Sequence, residues 1–470
     1  MIKVRLLSIY NRGDSKYTIA SLRLASYSCD LDNVEMKIFT LPLDFEEDEM
    51  EDLLKHINEE NIDLLALSAY VWTWDIIRNI SLKIERKNNI RIIVGGPEVI
   101  NRSTDNWVGD EIFVYGEGEK FFKQICQFAI QRKNIEEILK MTQIANGTKI
   151  GNHYIIAKEG KLNYSQCAYC EKTFSQLEIK DFSTEYAYYE TTRGCPYKCG
   201  YCGHKFRNKV VSFDEDFLKK EISFFGDIGM KELFIIDPII GGTKENGKKI
   251  FRLFQKLSPQ TKIIAYLRPE YLDEEYIEIL ADSNISELRL GIQTINKNVP
   301  NWIRNNDINV IINVLPKLCH IGIPWRAELI VGLPGDNMDG LKRSLKFLID
   351  EVKPTIIHAY HLTVLKETEL YRLVHDSVQW IRRDENNFRA LESYSYSKKE
   401  LQEMIVYSVL FTSLYNRYVR GYQGKKGKFY NDAPDFKTIT TMVEEKQAEF
   451  QLGNFPQYED GQMFWKKIFS

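Results

Sequence analysis

Residues 192–204 read Thr-Arg-Gly-Cys-Pro-Tyr-Lys-Cys-Gly-Tyr-Cys-Gly-His. Three of the chain's eight cysteines, Cys195, Cys199 and Cys202, fall here in a Cys-x3-Cys-x2-Cys spacing. Three thiolates on one loop can bind three irons of a [4Fe–4S] cluster. The fourth iron is then open and can chelate a substrate, whereas a closed four-cysteine cluster only passes electrons. Gly194, Pro196, Gly200 and Gly203 let the backbone curl around an inorganic core, and the aromatic Tyr201 sits just before the third cysteine. The other reading of these residues is a zinc site using Cys195, Cys199, Cys202 and His204. Zinc more often takes two separated ligand pairs, so that each ligand reaches a tetrahedral corner.

The remaining cysteines read differently. Cys167 and Cys170 form a Cys-x-x-Cys pair, either half of an auxiliary cluster, a redox pair or plain reduced thiols. Cys29, Cys126 and Cys319 read as buried small hydrophobes. The chain has 470 residues, 44% of them hydrophobic, which is enough to bury a core without disulfide staples. A net charge of −3 gives no whole-chain case for binding nucleic acid or an anionic membrane. The start of the sequence reads as a strand rather than a secretory signal. The longest charge-free apolar run, Met404–Asn416, is too short to span a bilayer. The expected location is therefore cytoplasmic, where clustered cysteines are metal ligands more often than disulfides.

The elements that must position the loop alternate strand and helix. Residues 2–9, Met36–Leu41, Leu64–Tyr70, Arg91–Val94 and Glu111–Tyr115 read as strands, with helical patterns between them. This predicts a doubly wound, Rossmann-like parallel sheet over 1–130, with its glycine turns at the carboxyl ends of strands, where ligands of such sheets bind. Residues 131–182 read as a linker with short elements. From 183 to 392 six βα units recur, predicting a full or partial (β/α) barrel with its site on loops after the strands. Residues 393–470 read as mainly helical. His358 and His361, three apart on a strand, point to opposite faces, so at most one faces the barrel interior. Arg417, Arg420, Lys425, Lys426 and Lys428 read as a solvated basic tail, or as a grip on an acidic substrate.

The cysteine loop resembles that of the radical S-adenosylmethionine (radical SAM) enzymes. The resemblance implies a [4Fe–4S] cluster on Cys195, Cys199 and Cys202, S-adenosylmethionine on the open iron, and a 5′-deoxyadenosyl radical. Later segments are similar to the same family. Glu287-Leu-Arg-Leu-Gly-Ile-Gln-Thr294 resembles the fourth-strand segment, with Gln293 facing cofactor or substrate. Glu328-Leu-Ile-Val-Gly-Leu-Pro-Gly-Asp336 resembles the fifth. Many members hold the methionine amino group with Gly-Gly-Glu at strand two; here Gly241-Gly242 is followed by Thr243, and Asp237 is the substitute. Tyr201, Asp237, Arg268 and Gln293 are thus the expected S-adenosylmethionine contacts.

A second resemblance covers the front domain, which looks like the cobalamin-binding domain of one large subclass. It rests on Leu67–Thr73, Val94–Glu98 and Tyr115–Glu119, and implies cobalamin contacts from Ser68, Tyr70, Val71, Trp72, Gly95, Gly96, Pro97, Glu98, Gly116, Glu117, Gly118 and Glu119. No Asp-x-His-x-x-Gly motif supplies an axial histidine. A methylthiotransferase would need front-domain cysteines for a second cluster, and only Cys29 is there. Together the resemblances imply a cobalamin-dependent enzyme methylating an unactivated carbon. They leave a rearrangement or cyclisation, and a zinc-bearing binding protein, as alternatives. The implied partners are a small-molecule or peptide substrate and an external one-electron reductant of flavodoxin or ferredoxin type.

Overall fold

The structure, a computed structural model, describes residues 1–85, 90–99, 101–102, 107–108, 111–131, 154–157, 167–206, 210–420 and 435–449. The chain divides into two compact units. The first comprises Met1–Leu267, Glu274–Ser286 and Leu365–Tyr371; the second comprises Arg268–Asp273, Glu287–Val364 and Arg372–Ser470.

In the first unit, strands β1 (Ile2–Tyr10), β2 (Val34–Pro42), β3 (Leu64–Ser68), β4 (Arg91–Gly95), β5 (Ile112–Gly116) and β6 (Tyr154–Ala157) form one sheet in the order β2-β1-β3-β4-β5-β6. Every pairing in it is parallel. β3 is almost wholly apolar and is buried along Leu64–Leu67, as a strand covered on both faces must be. Helices α1 (Ile19–Ser28), α2 (Glu47–Glu59), α3 (Trp74–Lys83) and α4 (Gly118–Ile130) alternate with the strands. Met50, Leu53 and Ile57 of α2 and Ile77 and Ile80 of α3 join Leu65, Leu67, Ile92 and Val94 in one apolar cluster. Chain order reverses between β1 and β3, and such a switch point leaves a crevice at the strands' carboxyl ends.

The sixth strand falls within the stretch expected as a linker. Its four residues, Tyr-Ile-Ile-Ala, are too few to show a period, and pairing with β5 alone makes them a strand.

The first unit continues through a short helix, α5 (Glu171–Gln176), then β7 (Tyr186–Tyr189), a two-strand ribbon of β8 (Thr192–Arg193) and β9 (Val211–Ser212), and α6 (Glu215–Asp227). β10 (Glu232–Ile235), α7 (Lys244–Leu257), β11 (Lys262–Leu267) and α8 (Glu274–Ala281) follow. β7, β10 and β11 are parallel neighbours. Arg23 and Glu221 form a fully buried ion pair, 2.6 Å apart, and Glu221 also accepts the Ala168 and Tyr169 amides. This pins the Cys167–Cys170 turn. Burial pushes the Cys167 thiol up to about 12, so it is a poor nucleophile. Cys126 and Cys319 are buried as expected, whereas Cys29 is only half-buried.

The second unit holds β12 (Ile285–Gln293, from Glu287 onward), α9 (Ile308–His320), β13 (Trp325–Val331), α10 (Met338–Phe347) and β14 (Ile356–His361). A small hairpin of β15 (Ile381–Arg383) and β16 (Ala390–Ser393) and helices α11 (Lys398–Arg420) and α12 (Phe436–Glu449) complete it. β12, β13 and β14 are parallel neighbours. Helix α11 packs on β14, where the Asn416 amide bonds both backbone groups of Ile357 at 2.8 Å. An otherwise open strand edge is thereby satisfied. Lys425, Lys426 and Lys428 lie outside the described residues.

His361 points away from His358, as the strand period requires, and its Nε2 lies 2.8 Å from the Ala390 carbonyl. Burial lowers its pKa to about 4, against an ordinary 6.5. Between these values the unfolded chain takes up a proton that the folded chain refuses. Stability is therefore complete above about pH 6.5 and falls as pH drops towards 4, by up to ~3 kcal/mol. Urea midpoints at pH 7 and pH 4.5 should show this loss, and His361→Gln should flatten it.

Candidate functional site

The cysteine loop leaves β8 at Gly194, whose φ of +86° is the left-handed region that glycine enters at no steric cost. Its base is closed by the β8–β9 ribbon, which pairs Thr192 with Ser212 and Arg193 with Val211. Within the loop the Cys202 amide donates to the Cys199 carbonyl at 3.0 Å. Gly200 is buried and its carbonyl accepts the Leu370 amide at 2.9 Å. All three cysteines and Tyr201 are half-buried, and His204 is exposed on a single turn of 3-10 helix.

Behind the loop stands Asp237, just past β10 and 1% exposed. Its carboxylate accepts the backbone amides of Thr191, Thr192 and Gly241 and the hydroxyls of Thr191 and Thr192. Burial pushes its pKa up to about 6, against those five hydrogen bonds. Asp237 is thus turned into the protein as a brace for the loop base. The amino group of S-adenosylmethionine, expected on Asp237, would have to share oxygens that already accept these five hydrogen bonds. Arg268 is likewise committed. Its guanidinium bonds Glu270 at 3.0 and 3.1 Å and the Asn305 carbonyl at 2.8 Å. Asp336 accepts from Thr294, Asn296 and the Asn337 amide and so secures its turn.

Residues that the sequence reading passed over hold the loop to the front sheet's turns. Arg193 donates to Glu119 at 2.6 Å and to Glu190 at 2.9 and 3.0 Å, and stands 3.5 Å from Glu117. Glu117 and Glu119, expected as cobalamin contacts, are buried; Glu119 accepts a hydrogen bond from this arginine, and Glu117 is held beside it as an ion pair. Asn101, 1% exposed after β4, donates to Glu367 at 3.3 Å and accepts the Lys366 amide at 3.1 Å. Glu367 in turn lies against Gly203, where an added Cβ would sit 3.2 Å from its oxygen. An arginine directly before Gly-Cys was the available signal. Nothing in one chain pairs it with residues seventy positions earlier.

The turn after β3 follows the carboxyl end of a strand that borders the front sheet's switch point. Thr73 Oγ1 bonds the Ser68 carbonyl at 2.7 Å and receives the Tyr70 amide at 2.9 Å, fixing that turn. The rings of Tyr70 and Trp72 stack at 5.1 Å and 4°. Trp72 is 60% exposed and Val71 42%. An exposed flat aromatic face of this kind fits a planar macrocycle. The other turns fit less simply. Gly96 has φ +121°, and a Cβ there would meet the Ala69 carbonyl at 2.5 Å, so this glycine serves the chain's own packing. Glu98 is buried and paired with Arg102 at 3.1 Å. The expected contacts therefore sort into an outward set, Tyr70 to Trp72, and inward carboxylates at 98, 117 and 119.

Among the described residues no three His, Cys, Asp or Glu side chains converge on a point that would hold a single metal ion. Three half-buried thiols on a closed loop do suit a four-iron cluster, which spreads its ligands more widely than one ion does. Residues 189–348, from the end of β7 through α10, match the family model described as the radical SAM superfamily. That segment, which holds the cysteine loop, is thus read as a radical SAM domain.

TokK of Streptomyces tokunonensis, described as a cobalamin-dependent radical SAM methyltransferase, is 25% identical to this chain over 194 residues. The alignment covers 38% of this chain and only 28% of that relative. The methylthiotransferase RimO of Helicobacter pylori is 23% identical over 275 residues, or 55% of this chain and 61% of that one. The radical S-adenosylmethionine methyltransferase TsrM of Kitasatospora setae, solved with its tryptophan substrate and an S-adenosylmethionine analogue, shares the fold. The TM-score is 0.67 at 13% identity, over 94% of this chain and 96% of that one. No helix among the described residues is long and apolar enough to cross a membrane.

Proposed function

We propose that this protein is a cobalamin-dependent radical SAM methyltransferase that methylates an unactivated carbon. The observation that carries the reading is the closed cysteine loop on the same unit as a parallel sheet whose switch point bears the Tyr70–Trp72 aromatic face. When bound, the cluster supplies the electron that cleaves S-adenosylmethionine, and the corrinoid supplies a methyl carrier. Cys195, Cys199 and Cys202 would hold three irons, Gly200 and Gly203 would let the loop close on them, and Asp237 would keep the loop base rigid. Tyr70, Val71 and Trp72 would lie against the corrin ring. The implied partners are a small substrate and a one-electron reductant of flavodoxin or ferredoxin type.

Methyl-deuterated S-adenosylmethionine tests the reading. Anaerobic protein with corrinoid bound and about four irons per chain should pass labelled methyl to its product and form 5′-deoxyadenosine. A product without label would turn the assignment to a rearrangement or cyclisation. Protein that retains iron but no corrinoid would remove the methyl-transfer half.

A further inference from the structure

One face of the β12–β13–β14 sheet is apolar and sealed. Leu288, Leu290, Ile292, Ala327, Leu329, Val331 and Ile357 are each at most 1% exposed. The opposite face is polar. By strand alternation it carries Glu287, Arg289 and Gly291 on β12, Arg326 and Glu328 on β13, and His358 and Tyr360 on β14. The register sets Gly291 and His358 on either side of Glu328.

The charges on this face are unevenly matched. Arg289 and Arg326 each bond Glu287 at 2.7 Å, and Arg326 also bonds His358 at 3.0 Å. Glu328 is 8% exposed, yet among the described residues it makes one long contact, 3.5 Å from the Tyr360 hydroxyl, and no ion pair. Its neighbour Gly291 leaves room, and the Gln293 amide folds into that room. A Cβ on Gly291 would come within 2.6 Å of Gln293 Nε2. Gln293 takes this course through a bulge in β12 and a φ of +66°, a strained conformation for a residue with a side chain. Among the described residues its amide makes no hydrogen bond. The Tyr360 hydroxyl donates its contact to Glu328 and also stands 3.1 Å from His358 Nδ1, so the carboxylate of Glu328 and the amide oxygen of Gln293 are the two acceptors that share this patch.

The geometry points to a binding site for a primary ammonium group, with Glu328 as its counter-ion and the Gln293 amide oxygen as its further acceptor. A buried carboxylate without an ion pair is costly and calls for a cation. An ammonium brings both a positive charge and enough donors for the carboxylate and the amide oxygen, which a hydroxyl cannot do. Burial raises the Glu328 pKa although Arg289 and Arg326 act to lower it, as expected where a compensating charge arrives with a ligand. The ammonium belongs to the methyl acceptor or to the methionyl end of S-adenosylmethionine. Naming it the methyl acceptor's rests on the proposed function; the binding chemistry does not.

The test is equilibrium binding to the reconstituted full chain without turnover, using n-butylammonium, n-butanol and S-adenosylmethionine as probes. Glu328→Gln keeps the shape and removes the charge. It should weaken n-butylammonium binding roughly 10- to 100-fold, as losing a charged hydrogen bond does, and leave S-adenosylmethionine within twofold. Gln293→Ala should weaken the same probe less. A loss for S-adenosylmethionine instead would assign the ammonium to the cosubstrate. Equal n-butylammonium affinity in wild type and Glu328→Gln, or n-butanol binding as tightly as the ammonium, would overturn the site. Circular dichroism confirms that the variants fold, and the isotope-label experiment stands or falls separately.

Discussion

Cys199→Ala protein should fold, lose the iron that the loop holds, and form no detectable 5′-deoxyadenosine. Cys199 is the middle thiol of the loop, and its carbonyl already receives the Cys202 amide at 3.0 Å, so the backbone turn survives loss of the side chain. Two thiolates remain where three irons need holding. Loss of a ligand should therefore exceed the roughly 10- to 100-fold that changing an outer partner of a metal ligand costs. Iron and sulfide content with the visible absorption of the reconstituted protein measure it. A variant that keeps four irons and still makes 5′-deoxyadenosine would remove the cluster assignment.

The second large effect is expected at Arg193. Its guanidinium sits between Glu117, Glu119 and Glu190, whose side chains are 4%, 7% and 15% exposed. Taking one partner out of such a buried set leaves carboxylates facing one another, and costs about 3–5 kcal/mol. Arg193→Met should lower the denaturation midpoint by that amount and weaken iron retention, because Arg193 is two residues before Cys195 and its contacts reach the turn after β5. Arg193→Lys should recover only part of the loss, since an ammonium cannot reproduce the planar fork that serves Glu119 and Glu190 together. If Arg193→Met matched wild type in both stability and iron content, the clamp would be a surface contact without consequence.

The two effects differ in how visible they were beforehand. The cysteine spacing and the strand–helix alternation are local properties, written in consecutive residues. Both the parallel front sheet and the strands at Tyr186, Glu232, Lys262, Glu287, Ala327 and Ile356 follow from short apolar runs bounded by turns. β6 escaped because four residues carry no period. What surrounds Asp237 is not legible in the sequence for another reason. A carboxylate at a strand end reads as a ligand contact until the five donors around it are seen. Glu117 and Glu119 read as outward-facing turn residues until Arg193 is placed beside them.

The sequence by itself determined the chemistry of the loop and the type of each sheet, because ligand spacing and hydrophobic period act over a few residues. Only the tertiary structure decided which polar groups are consumed inside the protein and which are kept for a ligand. Asp237, Glu119 and Arg268 are bonded within the protein, while Trp72 stays exposed and Glu328, among the described residues, has no ion pair. That division depends on whether a buried charge finds its partner within hydrogen-bond distance, and partners such as Arg193 and Glu119 meet across 74 positions of chain.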